Sequence, residues 1–491
     1  MKLQTIVGLE IHVQLATKSK MFCSCDNASD TAAPNTNICP ICLGHPGTLP
    51  VANKQAILYT LRIGKAIGST FPATSRFDRK NYFYPDLPKG YQISQYDNPF
   101  CEGGTLDIEV NGEQKTIRFE RVHLEEDAAK STHSPRGHSL VDYNRGGTPL
   151  AEMVTKPDMT SGAEAAAFLK ELRTMLRYLG VSDADMEKGN MRCDANVNVV
   201  DLDSNRKTAI TEIKNLNSFR SVERAVNFEE QRLSEILKEG REAETHKETR
   251  GWNDKMGETT TQRSKEVASD YRYFPEPDLP PVAINAVLLS AKELDMPELP
   301  AEKRRRFAEE FGLDNEAVLT LCADPAVANF YEETVSELAE WMKSAGKETD
   351  PKRVAKLASN WILAELLKHM NFHGHSIADL KFNAENYAEF IKIIALNQVN
   401  SSAGQKILEK MYATGADPTE IMKNDDLAQM NNAGELEAII DRVVTSNPEP
   451  VADYKAGKDK ALQFLIGQVM KETKGKANPG MLREIFERKL K

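Results

Sequence analysis

The sequence predicts an α+β domain followed by an all-α region, and three observations carry that reading. From residue 3 to about 294, short runs with period-two hydrophobicity alternate with a few long stretches of helical spacing. From about residue 297 onward nearly every segment has helical spacing. Between the two lie the breakers Pro275-Glu276-Pro277-Asp278-Leu279-Pro280-Pro281 and Met296-Pro297-Glu298-Leu299-Pro300. At 491 residues the chain exceeds one hydrophobic core and predicts about three domains. We place them at 1–294, 295–400 and 401–491, the last boundary at the polar break Asn397-Gln398-Val399-Asn400-Ser401-Ser402.

In Val7-Gly8-Leu9-Glu10-Ile11-His12-Val13-Gln14-Leu15 the odd positions are apolar, and Glu10, His12 and Gln14 share the opposite face of a strand. Next comes Cys23-Ser24-Cys25, a gap of thirteen residues, then Cys39-Pro40-Ile41-Cys42. Two thiol pairs flanking a short loop suit tetrahedral zinc, and a four-thiolate shell leaves no open position for chemistry, so the predicted metal is structural. Four reduced thiols lying close by chance have the same spacing. Cys101, Cys193 and Cys322 are scattered and read as ordinary buried thiols.

Basic and aromatic residues interleave from Arg79 to Gln92, including Lys80, Tyr82 and Tyr84. That composition suits stacking of unpaired bases beside phosphates, and equally an aromatic loop buried on a sheet. The alternation returns in Val122-His123-Leu124-Glu125, in Asp194-Ala195-Asn196-Val197, and in Thr211-Glu212-Ile213-Lys214-Asn215, while Glu152 sits among apolar neighbours. Asn144-Arg145-Gly146-Gly147-Thr148 reads as a tight turn or a close backbone approach to a ligand. Ser161-Gly162-Ala163-Glu164 is a capping box opening a helix that Gly180 stops, and a second helix follows Ser218 and ends at Gly240.

Any one of these polar strand faces is what a half-exposed sheet looks like. Several carboxylates on one concave surface repel one another unless cations neutralise them, and hard cations such as Mg²⁺ take oxygen ligands. Such a cradle suits phosphoryl transfer, which rests on positioning and electrostatics. The sequence has no GxxxxGK[ST] loop, no GxGxxG after a strand and no kinase set. Nucleotide handling therefore predicts metals held by carboxylates, with Lys80, Arg145 and Lys214 as candidate phosphate clamps.

Hydrophobic residues make up 40% and charged residues 28%, ordinary for a globular chain, and no apolar run reaches the roughly 20 residues of a bilayer span. The N-terminus runs straight into a strand without a cationic leader, which predicts the cytoplasm. A net charge of −10 argues against a chain coated by nucleic acid, yet residues 451–491 hold ten Lys/Arg against five Asp/Glu. With screening over about 8 Å, that tail presents a local positive patch suited to RNA, or a solvated helix face.

Several phrases together resemble the B-subunit family of the bacterial aspartyl/glutamyl-tRNA amidotransferases. They are Val7 to Val13, Phe77-Asp78-Arg79-Lys80-Asn81-Tyr82-Phe83-Tyr84-Pro85-Asp86, His123-Leu124-Glu125-Glu126-Asp127-Ala128, Val141-Asp142-Tyr143-Asn144-Arg145, Met191-Arg192-Cys193-Asp194-Ala195-Asn196, Glu212 to Ser218 and Asp270-Tyr271-Arg272-Tyr273-Phe274-Pro275. The stretch from Arg250 to Glu266 is similar too, with Gln262 departing from the commoner residue, and the tail from Asp453 to Pro479 resembles the family's tRNA-binding module.

The resemblance implies a catalytic cradle similar to glutamine synthetase, with ATP phosphorylating the side-chain carboxylate of Glu-tRNA(Gln) or Asp-tRNA(Asn) and ammonia then giving the amide. It implies a heterotrimer in which an amidase-signature glutaminase supplies ammonia and a third, small protein completes the assembly. Carried over residue by residue, it implies Mg²⁺ at Glu10, His12, Glu125, Glu152, Asp194 and Glu212, while Zn²⁺ at Cys23, Cys25, Cys39 and Cys42 rests on the cysteine spacing, since some relatives lack the knuckle. It implies catalytic roles for Glu10, His12, Glu125 and Lys214, and nucleotide contacts from Lys80, Arg145, Lys214 and Asn215. Contacts to tRNA fall to Tyr82, Tyr84, Lys458, Lys460, Lys471, Lys474 and Lys476. Two other readings are a zinc-bearing tRNA adaptor without catalysis and a ligase acting on a free amino acid. The carboxylate count opposes the first and the basic tail the second.

Overall fold

The computed structural model describes residues 1–28, 31–134, 137–264, 270–344, 350–430, 432–473 and 475–490. The chain forms two compact units, Met1–Pro300 and Ala301–Lys491. The first is a mixed α/β unit and the second is helical.

The first unit is built on a nine-stranded sheet. In chain order its strands are β1 (Leu3–Gln14), β2 (Cys101–Glu102), β3 (Thr105–Val110), β4 (Glu113–Glu126), β5 (Pro149–Thr155), β6 (Met191–Asp201), β7 (Thr211–Leu216), β8 (Glu248–Asn253) and β9 (Glu258–Ser264). Their spatial order is β9-β8-β7-β6-β1-β5-β4-β2, with β3 also on β4. Neighbours are antiparallel except β7 and β8, whose parallel pairing needs a crossover, and the helix Phe219–Lys238 provides it.

Strict alternation gives β1 two faces. Val7, Leu9, Ile11 and Val13 are fully or almost fully buried on one side, and Glu10, His12 and Gln14 lie on the other. The apolar face meets three helices, α1 (Lys54–Ala66), α2 (Gly162–Tyr178) and α3 (Phe219–Lys238). Leu58, Leu61, Phe168, Leu172, Val222 and Leu233 from those helices join the sheet residues in one core. With one face covered by helices, the polar face is left to form the site.

The predicted helix starts are present. Ser161 Oγ accepts from Glu164 N–H and Ser218 Oγ from Ser221 N–H. The capping box is altered in one respect: the Glu164 carboxylate accepts from Thr160 N–H at 2.6 Å instead of from Ser161, and Lys115 also holds it at 2.7 Å.

Gly162, the first residue of α2, lies so close to α3 that a Cβ there would press into the Glu223 carbonyl oxygen and the Asn227 amide. Gly162→Ala gains up to about 1 kcal/mol of helix propensity, against a steric cost of about 1–3 kcal/mol from an unyielding backbone oxygen. The expected net result is destabilisation, read as a lower denaturant midpoint with unchanged slope. A higher midpoint contradicts the close approach.

In the second unit, α4 (Pro325–Ser344) and α5 (Ala384–Ala395) pack around Phe330, Tyr331, Tyr387 and Phe390, with the Phe330 and Tyr387 rings 5.4 Å apart. Helix α6 (Ser401–Thr414) starts at the cap Asn400, whose Oδ1 accepts from Ala403 N–H. A separate core lies between α7 (Ala433–Ser446), α8 (Asp459–Glu472) and α9 (Pro479–Leu490), from Leu436, Ile440, Leu465, Val469, Leu482 and Phe486. Among the described residues no helix is long and apolar enough to cross a membrane.

Candidate active site

Antiparallel register aligns the polar residues in rows across the open face of the sheet. His12 of β1 is paired with Arg192 of β6 on one side and Glu152 of β5 on the other, and Glu152 is paired in turn with His123 of β4. Direct cross-strand partners on one face have Cβ atoms about 5 Å apart, so four strands place a line of ionisable groups in contact. Glu10 pairs with Asp194 in the adjacent row, and Glu125 flanks the line on β4.

Two ligand clusters result, Glu10 with His12 and Glu152, and His123 with Glu125 and Glu152. Glu152 Oε2 lies 3.4 Å from His12 Nε2 and 3.1 Å from His123 Nε2, so this carboxylate belongs to both. His12 Nε2 is also 3.8 Å from Glu10 and 3.9 Å from Glu125, which accepts from Ser94 Oγ at 2.8 Å. Glu125 and Glu152 are only 2% and 5% exposed.

Burial opposes charge on Glu152, yet the His123 and His12 imidazoles hold its carboxyl well below the usual range. Against the same burial, the carboxylates of Glu152 and Glu125 raise His123 to about 9. Burial and the Glu152 charge push the Glu10 carboxyl up. For Glu125, burial is outweighed by the His123 imidazole 3.7 Å away and the Lys80 charge, and its carboxyl is lowered.

The groups form the floor of a cavity of about 530 Å³. Lys80, Tyr82, Tyr271 and Tyr273 line it, as do Asp194, Glu212 and Lys214, with the Lys80 ammonium 5.1 Å from the Tyr271 ring. Lys214 is ion-paired with Asp194 and sits 3.1 Å from Glu212. Hence Asp194 and Glu212 of the predicted cation set surround an ammonium, while Glu10, His12, Glu125 and Glu152 converge on one another. A β-bulge explains the aim of Lys214: Lys214 and Asn215 together oppose Asp194, and Asn215 takes φ +65°. Asn215 is consequently exposed and lies off the cavity lining, with its amide against Gly251.

Arg145 also lies behind the lining. It donates to the carbonyls of Ala128 and Ala129 at 2.9 and 2.8 Å and faces Asp127 at 3.6 Å. Asp127 is 2.7 Å from Arg192 and accepts from Gln14 at 3.1 Å. Although burial raises it, Arg192 and Arg145 lower its carboxyl overall. A carboxylate lowered on folding stabilises above its unfolded value of about 3.9, and that contribution is lost as pH falls through the folded value. Arg192→Met is therefore expected to cost about 2 kcal/mol at pH 7, less than a fully buried pair because Arg192 is partly exposed and Arg145 remains. The deficit should shrink toward pH 3 in parallel urea melts, and one independent of pH would exclude the ion pair as its cause.

His123, Arg192, Asp127, Tyr271 and Tyr273 are site residues that sequence reasoning left out of the candidate set. His123 had the same signal as His12, an imidazole two residues from a carboxylate on a polar strand face. Tyr84 is outside the cavity, on an exposed groove with Phe83 and Pro88.

In the knuckle, Cys23, Cys25, Cys39 and Cys42 bring their sulfurs within 4.8 Å of one another. Zinc–sulfur bonds of about 2.3 Å in a tetrahedron put sulfurs about 3.8 Å apart, so the donor set fits Zn²⁺. The neighbouring Cys23 sulfur draws the Cys42 thiol down to about 5, and the Cys39 N–H, which donates to Cys42 Sγ at 3.1 Å, and the Lys20 charge add to this against burial. The Cys42 sulfur and burial push Cys23 up, and burial raises Cys25 to about 11. The knuckle loop is stitched to the turn before β5: Asn37 N–H donates to Asn144 Oδ1 at 2.8 Å and Met21 N–H to Gly147 O at 2.7 Å.

In the tail, Lys458 pairs with Asp453 at 2.8 Å and Lys476 with Asp426. Lys460 and Lys471 are exposed on α8, and Lys474 lies outside the described residues.

Residues 5–290 match the family model described as GatB/GatE catalytic domain, and residues 340–490 match one described as GatB domain. The chain is 44% identical to the B subunit of the aspartyl/glutamyl-tRNA(Asn/Gln) amidotransferase of Thermodesulfovibrio yellowstonii, with 100% of both chains covered. It is also 44% identical to the protein of that name from Thermomicrobium roseum, over 100% of this chain and 99% of the other. For the one from Brevibacillus brevis the identity is 43%, over 99% of this chain and 98% of that one.

Proposed function

The chain belongs to the GatB/GatE family, and on that premise we propose that it is the phosphorylating and amidating component of a glutamine-dependent tRNA amidotransferase. The observation that carries the reading is Glu152, one buried carboxylate shared by two ligand clusters on a cavity floor flanked by Lys80 and Lys214. We read the open face of the sheet as a cradle similar to that of glutamine synthetase.

Glu10, His12 and Glu152 in one group, and Glu125 and Glu152 in the other, fit divalent cations, because neighbouring carboxylates favour a counter-charge and supply the oxygen donors Mg²⁺ prefers. When bound, Mg²⁺ supplies charge neutralisation and polarises phosphoryl oxygens. Lys80 and Lys214, both lining the cavity, bind phosphoryl oxygens of ATP, and Asp194 and Glu212 hold Lys214 in place until then. His123 orients Glu152 and Glu125 by charge pairing, at 3.1 and 3.7 Å, and Arg145 and Arg192, through Asp127, fix the adjacent wall.

In the first step a side-chain carboxylate oxygen of glutamate or aspartate on the tRNA bonds to the γ-phosphorus of ATP, and ADP leaves. In the second, the ammonia nitrogen bonds to the activated carbonyl carbon, phosphate leaves and the surplus proton passes to solvent. The products are Gln-tRNA(Gln) or Asn-tRNA(Asn). Ammonia comes from an amidase-signature glutaminase, the A component, and a small C component completes a heterotrimer in the cytoplasm. Asn215 and Arg145 support the nucleotide end from behind, through the bulge and the turn. Tyr82 receives the tRNA acceptor end, and Tyr84 extends that surface. Zn²⁺ at the four cysteines rigidifies the loop that leaves β1. Residues 295–400 form a helical domain and 401–491 a tRNA-binding tail that uses Lys458, Lys460, Lys471, Lys474 and Lys476.

The test is reconstitution with the two partner proteins, supplying ATP, Mg²⁺, ammonium chloride and each misacylated tRNA. Amide formation with one ADP released per amide is expected. Amidation that proceeds without ATP overturns the proposal.

A further inference from the structure

Lys20 is completely buried, yet it forms no ion pair among the described residues. Its ammonium donates to one acceptor, the Asn37 carbonyl at 3.0 Å, two residues before Cys39 in the knuckle loop. Its backbone N–H donates to the Cys25 carbonyl at 2.9 Å, so both ends of the residue are tied into the four-cysteine segment. The Lys20 stem and Cys42 Cβ meet at Gly147: a Cβ placed there would lie 3.5 Å from Lys20 Cδ and 3.8 Å from Cys42 Cβ. A buried ammonium is costly without a compensating charge, and an isolated backbone carbonyl is not one.

Zinc with four thiolates carries a net charge of about −2, and the four cysteines are half-buried, so solvent screens that charge only in part. The Lys20 stem borders the knuckle at Gly147, and among the described residues no carboxylate is paired with its ammonium. We propose that Lys20 is the built-in counter-ion of the zinc–tetrathiolate centre, a positioning residue that sets how firmly the knuckle holds its metal. The inference rests on the zinc reading of the knuckle and is independent of the amidation chemistry.

The ladder beyond Lys20 shows what this firmness serves. Asn37, its acceptor, donates to Asn144 Oδ1 at 2.8 Å, and Asn144 Nδ2 donates to Ala33 O at 2.7 Å. Met21, the next residue, donates to Gly147 O at 2.7 Å. The turn held in this way carries Arg145 and leads into β5, on which Glu152 sits.

The experiment compares the full chain with Lys20→Gln, which keeps a donor toward Asn37 but removes the charge, and Lys20→Arg, which keeps the charge. Zinc content is measured first, then zinc release to a colorimetric chelator, and finally thermal unfolding of the zinc-loaded and zinc-stripped proteins. Loss of an outer-shell partner typically weakens metal binding roughly 10–100-fold, so Lys20→Gln should release zinc at least about tenfold faster and Lys20→Arg less than threefold faster. Lys20→Gln should lower the melting temperature of the zinc-loaded protein more than that of the stripped protein, in which the cysteine cluster offers the ammonium a smaller counter-charge. Adding Cys25→His reduces the charge of the centre by one and should restore retention to Lys20→Gln.

Equal zinc release by all variants, or equal destabilisation with and without zinc, would show Lys20 to be a packing residue and overturn the inference. A wild-type chain holding no zinc overturns the zinc reading as well. Should Lys20→Gln fail to fold, rescue by Cys25→His supports the counter-ion role, and failure of rescue refutes it.

Discussion

Glu152→Gln is expected to reduce ATP-dependent amidation of misacylated tRNA by at least about 10³-fold, while the affinity for tRNA stays within twofold of wild type. The substitution is nearly isosteric and exchanges one carboxylate oxygen for an amide nitrogen. In this chain that carboxylate lies between His12 Nε2 at 3.4 Å and His123 Nε2 at 3.1 Å and is a member of both ligand clusters. One neutralised group therefore weakens both clusters together. A metal ion contributes several kcal/mol of charge stabilisation in phosphoryl transfer, and about 4 kcal/mol corresponds to the stated factor. Glu125→Gln leaves the Glu10, His12 and Glu152 cluster complete, so its loss should be smaller, on the order of 10²-fold. Steady-state amidation with each variant, set beside a filter-binding isotherm for tRNA, separates chemistry from binding. Undiminished amidation by Glu152→Gln would remove the metal role from the whole row.

What the sequence made legible was one-dimensional. Strand alternation put Glu10, His12 and Gln14 on the face opposite Val7, Leu9 and Ile11, and this requires nothing beyond the period of a strand. The knuckle was equally legible because its two thiol pairs are local. The row Arg192, His12, Glu152 and His123 was not: it depends on register between strands up to 180 residues apart in sequence, as with the pairing of His12 and Arg192. For the same reason Asp194 and Glu212 looked equivalent to Glu152, although a bulge at Lys214 and Asn215 brings an ammonium between them. Bulges have no reliable signature in a single sequence, and Asn215, whose amide side chain tolerates positive φ, is the one hint. The tail lysines teach the same lesson. Their count was visible, but the pairing of Lys489 with Asp441 and Arg488 with Glu437 joins α9 to α7 and is tertiary.

Those pairings decide how the tail is to be tested. Cutting the chain at residue 406 would sever α6 ahead of Ile407, Leu408 and Met411, all buried in the helical unit, and would confound binding with unfolding. Residues from 432 onward have a core of their own, and among the described residues the bonds that hold it to the preceding segment include Asn400 Nδ2 to Gly475 O, Met430 N–H to Lys476 O, and the Lys476–Asp426 pair. A chain ending at Met430 should therefore keep its fold and its divalent-cation binding. Of the tail's cations, Lys455, Lys460 and Lys471 are exposed and in no ion pair among the described residues. Each phosphate neutralised by a lysine adds about 0.9 to the slope of log affinity against log salt, slightly less on single strands. If each of the three meets one phosphate, truncation should flatten the slope by about 2–3 and weaken tRNA binding by on the order of 10²-fold near physiological salt. The maximal rate at saturating tRNA should change less than threefold, since the truncation leaves Glu10, His12, Glu125 and Glu152 untouched. An unchanged salt slope would move tRNA recognition out of the tail and onto the rim of the cradle, where Tyr82 and Lys80 stand.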